Sequence, residues 1–241
     1  MKKSGRILIH SGLIVGLFVL ILSGCKKSDT PVDNIIRGTV SDLEGNVYTT
    51  VVIGTQTWMA ENLKSFKLTD GTNIQYVTDN STWSNLVTPA YSYYSNDSVS
   101  YKAKYGAIYN WYTVKTNKLC PVGWHIPSDA DWTTLSTSLG VDSLAGGKLK
   151  DAGVFNWYTP NLYATNTTGF TALAGGYRTF NGTYNNYGIS GNWWSSTEYT
   201  ANTAKRFYLV YNTGYAYNDK TTLGKNFVDK LYGLSVRCIK N

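Results

Sequence analysis

Histidine is almost missing from this 241-residue chain, which has only His10 and His125. A nucleophile that needs an imidazole base therefore has few ways to be activated. Charge is sparse as well, 15% of residues, and the net +7 is spread along the chain after a basic start at Lys2, Lys3 and Arg6. Nucleic-acid binders concentrate their basic residues in a patch or stripe, so nucleic acid is excluded as an expected partner. The longest apolar run, Ile7 to Leu22, is broken by His10, Ser11 and Gly12. Spanning a bilayer takes about 20 apolar residues, and this run is too short. No repeat of fixed period is present, which excludes solenoids and propellers.

What the N-terminus does contain is ordered. Three cations precede the apolar run, and Leu22-Ser23-Gly24 leads directly into Cys25. A basic stretch, a short apolar stretch and small residues before a cut describe an export signal. The run resembles the lipobox of bacterial lipoproteins. That resemblance implies cleavage after residue 24, lipidation of Cys25 and a membrane partner reached through acyl chains. Each buried CH₂ contributes about 0.8 kcal/mol, so two or more chains anchor stably where one does not. An uncleaved anchor and a buried core helix are the alternative readings of the same run. Lys26 follows the cysteine where enteric inner-membrane lipoproteins carry aspartate, which points to the outer membrane, with the cell surface favoured and the face undecided. Lys26 to Asn34 is polar and reads as a tether, leaving residues 35–241 as one domain.

Removal of residues 1–24 lowers the net charge from +7 to +4, with 19 cations against 15 acids. Of three cysteines, lipid takes Cys25, so Cys120 and Cys238 remain as an even pair in an oxidising compartment. They are expected to form a disulfide, restricting the unfolded chain by roughly 4–5 kcal/mol on the entropy model. The alternatives, a metal pair or a catalytic thiol, lack partners, because His125 is the sole histidine after cleavage.

Short alternating runs around Glu44-Gly45-Asn46 predict a β-hairpin over residues 36–57, followed by an extended Gln56–Leu63. Residues 66–104 show no clear period and read as long loops with short strands. Ser128 is a good N-cap, with Asp131 three residues on, and Trp132, Leu135 and Leu139 keep helical spacing until Gly140. A second helix is expected from about Ser143 to Asp151. Tyr232 to Ile239 reads as an alternating closing strand. The fold class is α+β, many short antiparallel strands with two helices and long loops.

Taken in order, Asp42–Tyr48, Ile53–Leu63, Tyr105–Tyr112, Leu119–Trp132, Gly169–Arg178, Trp193–Glu198 and Gly233–Cys238 resemble the Fibrobacter succinogenes major paralogous domain. That family is common in lipoproteins of Bacteroidetes and Fibrobacteres. It is similar in fold to C-type lectin-like domains and the formylglycine-generating enzymes, through the Ile-Pro-Ser-x-x-x-Trp helix start and the final Gly-x-x-Val-Arg strand. The resemblance implies a lectin-like fold that pairs its terminal strands, bringing Val47–Ile53 near Val236. It says almost nothing of activity.

Catalytic constellations do not emerge. Cys120 and Cys238 look structural, which argues against copper and oxygen chemistry. His125 sits in an aromatic turn before Pro127, and Asp129 and Asp131 are explained as first-turn helix residues. Glu198 has no obvious partner for paired-carboxylate hydrolysis. No catalytic residue, cofactor or metal is assigned. Asn218-Asp219 is a loose calcium candidate, to which no ligand set is committed. The most attractive ligand site is Trp193-Trp194 with Ser196 and Glu198, where an aromatic face could stack on a sugar whose alcohols meet hydroxyl and carboxylate. Against this, consecutive tryptophans in a strand face opposite ways, so at least one is core, as Trp58, Trp111, Trp124 and Trp132 should be. Asp97-Ser98-Val99 and Asp142-Ser143-Leu144 resemble the short O-glycosylation signal of exported Bacteroidetes proteins. The sequence thus leads to a surface lipoprotein with a non-catalytic domain for glycan or a surface protein. An assembly partner in an envelope complex and an enzyme of unrecognised type are the alternatives.

Overall fold

Asp42 organises the first turn of the protein. Its carboxylate accepts the amides of Glu44 (3.0 Å) and Asn46 (2.9 Å), and the Tyr48 hydroxyl at 2.6 Å. Gly45 supplies the left-handed backbone (φ +79°) that lets the chain reverse there. Burial and the Asp42 carboxylate together push the Tyr48 hydroxyl far above its ordinary pKa. The resulting hairpin joins β1 (Arg37–Ser41) to β2 (Val47–Ile53), with Arg37 opposite Val51. A tighter turn at Gly54 returns the chain as β3 (Gln56–Met59). A Cβ at Gly54 would lie 2.8 Å from Ser138, so the turn packs closely on the end of a later helix. The computed structural model describes residues 34–140, 145–211 and 223–241. Ile35–Asn241 forms one contact unit, and the export segment with Cys25 lies outside the described residues.

The stretch expected to be loops is more regular than its sequence suggests. It contains β4 (Gln75–Tyr76), α1 (Asn80–Asn85), β5 (Ala90–Ser92), a 3₁₀ turn at Tyr94–Asn96 and α2 (Ser98–Tyr105). Capping starts both helices: Asp79 accepts the Thr82 amide at 2.7 Å and Asp97 the Ser100 amide at 3.0 Å. Each buries a single aromatic, Trp83 or Tyr105, so no apolar period could show. Tyr94, Tyr101, Tyr105 and Tyr187 then pack edge-to-face and tilted, with centroids 5.3 to 6.0 Å apart.

Next come β6 (Ile108–Tyr109), α3 (Trp111–Val114), β7 (Trp124–His125) and α4 (Asp129–Ser138). The α4 helix starts as its sequence requires, with a full capping box between Ser128 and Asp131, and buries Trp132 and Leu135. Its successor α5 spans Ala145–Leu149; residues 141–144 lie outside the described set. The described residues thus hold five α-helices where two were expected. The remaining strands are β8 (Gly175–Arg178), β9 (Tyr184–Tyr187), β10 (Ser190–Glu198), β11 (Thr203–Val210), β12 (Gly224–Asp229) and β13 (Ile239–Lys240). They complete an α+β fold of small sheets: β1-β2-β3-β13-β7, β10-β11-β12, β4-β5-β6 and β8-β9. All pairings within these sheets are antiparallel except β4 with β5.

The closing segment departs from expectation in an informative way. Gly233 to Ile239 is buried at every position, not at alternate ones. Its backbone is shared among many neighbours: Gly233 with Arg178, Leu234 with Tyr109, Ser235 with Asn192 and Trp194, Val236 with Leu63, and Cys238 with Met59. Val236 therefore meets the extension of β3, and β2 lies one strand farther away than the resemblance implied. Cys238 bonds to Cys120 as expected, closing a span of 118 residues with Cα atoms 5.9 Å apart. Among the described residues no helix is long and apolar enough to cross a membrane.

Candidate functional site

Strand β10 is flanked by β11 on one side and by the closing segment at Ser235 on the other. Trp193 and Trp194 do face opposite ways, and both ways lead into core: each is 0% exposed. Trp193 packs with Trp132 and Phe170, and its indole donates to Asn62 Oδ1 at 2.8 Å. Trp194 lies in the other main cluster and donates to the Tyr109 carbonyl at 2.7 Å. Neither ring has a face free for a ligand, which corrects the expectation that placed the sugar there. Trp58, Trp111 and Trp132 are buried as expected, whereas Trp124 is half-buried.

Beneath Trp193 sits Arg237, enclosed without a carboxylate partner in bonding range among the described residues. Its guanidinium donates to Asn62 Oδ1 (3.0 Å) and to the Phe170 and Thr171 carbonyls, and lies 4.1 Å from the Phe170 ring centroid. Burial pushes its pKa down to about 9. Arg178 repeats the arrangement against the Val77 and Thr78 carbonyls, 4.2 Å from the Trp83 ring centroid. These cations knit loops together through carbonyls and aromatic faces.

Ser196 and Glu198 are placed apart. The Glu198 carboxylate pairs with the buried Lys230, which holds it below its ordinary pKa; Lys230 also lies 4.7 Å from the Trp111 ring centroid. Ser196 lines a recess of about 180 Å³ with Asn117, Cys120, His125 and Ile126. Both imidazole nitrogens of His125 are engaged, Nδ1 with Asn241 Oδ1 at 2.7 Å and Nε2 with Asp131 Oδ2 at 3.3 Å. Burial raises the Asp131 carboxyl, but hydrogen bonds from Ser128 and His125 outweigh it and leave it below its usual value.

Two residues that sequence reasoning passed over form the exposed aromatic surface beside this strand. Tyr199 follows Glu198 directly, in the turn closed by its amide on the Thr203 carbonyl (3.0 Å). Phe227 projects from the edge strand β12, opposite Lys205 of β11. Their rings stack at 3.9 Å with an 8° tilt and remain 52% and 51% exposed. With Lys205, Lys225 and Asn226 they line a recess of about 270 Å³. The same sheet face buries Phe207 under Trp132 (4.9 Å, 17°), so α4 covers one part of the face and leaves the rim open. At that rim Asp129, in the first turn of α4, receives Lys205 at 2.6 Å and Lys225 at 3.7 Å. The available signal was the run Lys225-Asn226-Phe227-Val228-Asp229, whose period of two puts Phe227 on the charged face.

Among the described residues no group of three His, Cys, Asp or Glu side chains is gathered as a metal ion would need. Asn218-Asp219 and Asp142-Ser143 lie outside the described residues. Ser98 is exposed at the start of α2, beside Val99, which is 92% exposed. A comparison with protein families matches the Fibrobacter succinogenes major domain to residues 51–240. No curated protein and no solved structure matches the chain.

Proposed function

Because the chain belongs to the Fibrobacter succinogenes major domain family, we propose that it is a non-catalytic binding module that takes a saccharide at the Tyr199–Phe227 surface. The observation that carries this reading is the stacked, half-exposed ring pair bordering a largely apolar recess edged by Lys205, Lys225 and Asn226. An aromatic face offers apolar area to the C–H side of a sugar ring. A shallow, largely preformed surface of this kind orients a polymer without needing a deep pocket. The engagement of both His125 nitrogens supports a binding role over nucleophilic chemistry at Ser196.

The proposal places the module outside the cytoplasm, on the outer membrane, held by lipid on Cys25 through the Lys26–Asn34 tether. The pairing of β3 with the C-terminal β13 supports a lectin-like reading of the fold. A second reading, an assembly partner in an envelope complex, is favoured by a recess of about 250 Å³ near exposed Leu43 and Val122.

A polysaccharide array probed with oxidised residues 35–241 tests the proposal. Binding that falls on Tyr199→Ala or Phe227→Ala, in variants with unchanged melting temperature, supports it. An aromatic contact of hot-spot quality contributes about 2 kcal/mol, a roughly thirtyfold loss. Silence across the array, or binding indifferent to both changes, rejects it in favour of the protein-partner reading.

A further inference from the structure

Among the described residues, the two lysines that line the recess share a single carboxylate. Two lysines converge on one carboxylate: Lys205 reaches Asp129 Oδ2 at 2.6 Å, and Lys225 stands 3.7 Å from Oδ1. The second separation is too long for a hydrogen bond. Among the described residues, Asp129 Oδ1 is accordingly buried without a hydrogen-bond partner and the Lys225 ammonium makes no hydrogen bond, its side chain 55% exposed. Asp229 accepts the Leu231 amide at 2.8 Å, and Glu198 is paired with Lys230. Among the described residues, two lysines thus share one carboxylate at the edge of an aromatic platform.

Resting on the saccharide reading above, we infer that the recess selects an anionic sugar residue, its ring against Phe227 and Tyr199 and its acid group taken by Lys225. A neutral sugar would leave the Lys225 charge as solvated as before and gain nothing from it. A carboxylate or sulfate supplies a second counter-charge where Asp129 alone is shared between Lys205 and Lys225. Lys225 lies directly opposite Phe207 on the sheet face that also carries Phe227 and Lys205, so ring and charge are presented side by side. Asp129 acts as the competitor: it holds Lys205 back and limits affinity.

The test uses the full chain purified in detergent, with polygalacturonate and alginate as carboxylated polymers, dextran sulfate as the sulfated one, and dextran and mannan as neutral ones. Tighter binding of either acidic class than of the neutral polymers, weakening with salt, is expected. Lys225→Gln should lower acidic affinity roughly fivefold and leave neutral binding unchanged, while Lys225→Arg retains it. Asp129→Asn should tighten acidic binding roughly threefold by freeing Lys205, an effect that a purely structural role would not give. The carboxylated and sulfated arms separate the two sources of the acid group. Equal affinity for neutral and acidic polymers, or indifference to Lys225→Gln, overturns the charge selection while leaving the saccharide site standing. Binding of polyanions that ignores Phe227→Ala overturns ring recognition. No binding by any polymer overturns the reading on which this inference rests.

Discussion

Lys150 gives the fold a measurable dependence on pH. Its ammonium is buried, donating to the Leu162 carbonyl at 2.8 Å and the Val210 carbonyl at 3.3 Å, with the Trp157 ring centroid 5.5 Å away. No carboxylate is in bonding range among the described residues, and burial lowers the pKa from 10.5 to about 8. Above pH 8 the folded protein gives up this proton, while the unfolded chain keeps it until pH 10.5. The unfolded state then binds more protons, so stability rises with pH across that window. Taking those two values, the gain from pH 7 to pH 9.5 is about 2 kcal/mol. Stopping at pH 9.5 avoids the buried tyrosines, whose raised pKa values act in the opposite sense at higher pH. Urea unfolding of residues 35–241 at both pH values, compared with Lys150→Met, isolates the effect, because all other groups cancel. The native protein should gain about 2 kcal/mol more than the variant. Equal pH dependence in the two proteins would show that Lys150 keeps its proton or is solvated, and would refute the argument.

Three further outcomes follow from the buried elements. Trp193→Ala and Trp194→Ala should each destabilise by about 3–5 kcal/mol, read as a lower urea midpoint, because each empties a closed part of the core. Replacing Cys120 and Cys238 by alanine together should cost roughly 4–5 kcal/mol on the entropy model, read in the same assay. Glu198→Gln should lower stability at neutral pH by leaving Lys230 without its carboxylate. That difference should shrink as acid protonates Glu198 in the native protein, its pKa lying below the ordinary glutamate value.

Features set by neighbours in sequence were legible without coordinates. The Ser128 cap, the Asp131 reciprocal bond and the apolar spacing of α4 are all local, and the β1–β2 hairpin is fixed by a turn of five residues around Gly45. The disulfide followed from the number of cysteines. The short helices α1 and α2 were missed because an Asp cap and one buried ring leave no period to detect. Trp193 and Trp194 misled for a different reason. A bulky aromatic pair looks the same in sequence whether one face of its strand or both are covered. What covers the second edge here is Ser235, a distant part of the chain. Conversely, Phe227 is an ordinary strand residue in sequence, and only its place on the edge strand opposite Lys205 makes it an exposed platform. The sequence pointed to the right stretch of chain and to the wrong rings within it.

Hydroxyl-radical footprinting with the strongest array polysaccharide bound tests the central claim most directly. Binding at the proposed surface protects Tyr199 and Phe227 from oxidation and leaves the half-exposed Tyr94 and Tyr101 unchanged. Protection that misses Tyr199 and Phe227 while the polymer is demonstrably bound would place the ligand elsewhere and contradict the account.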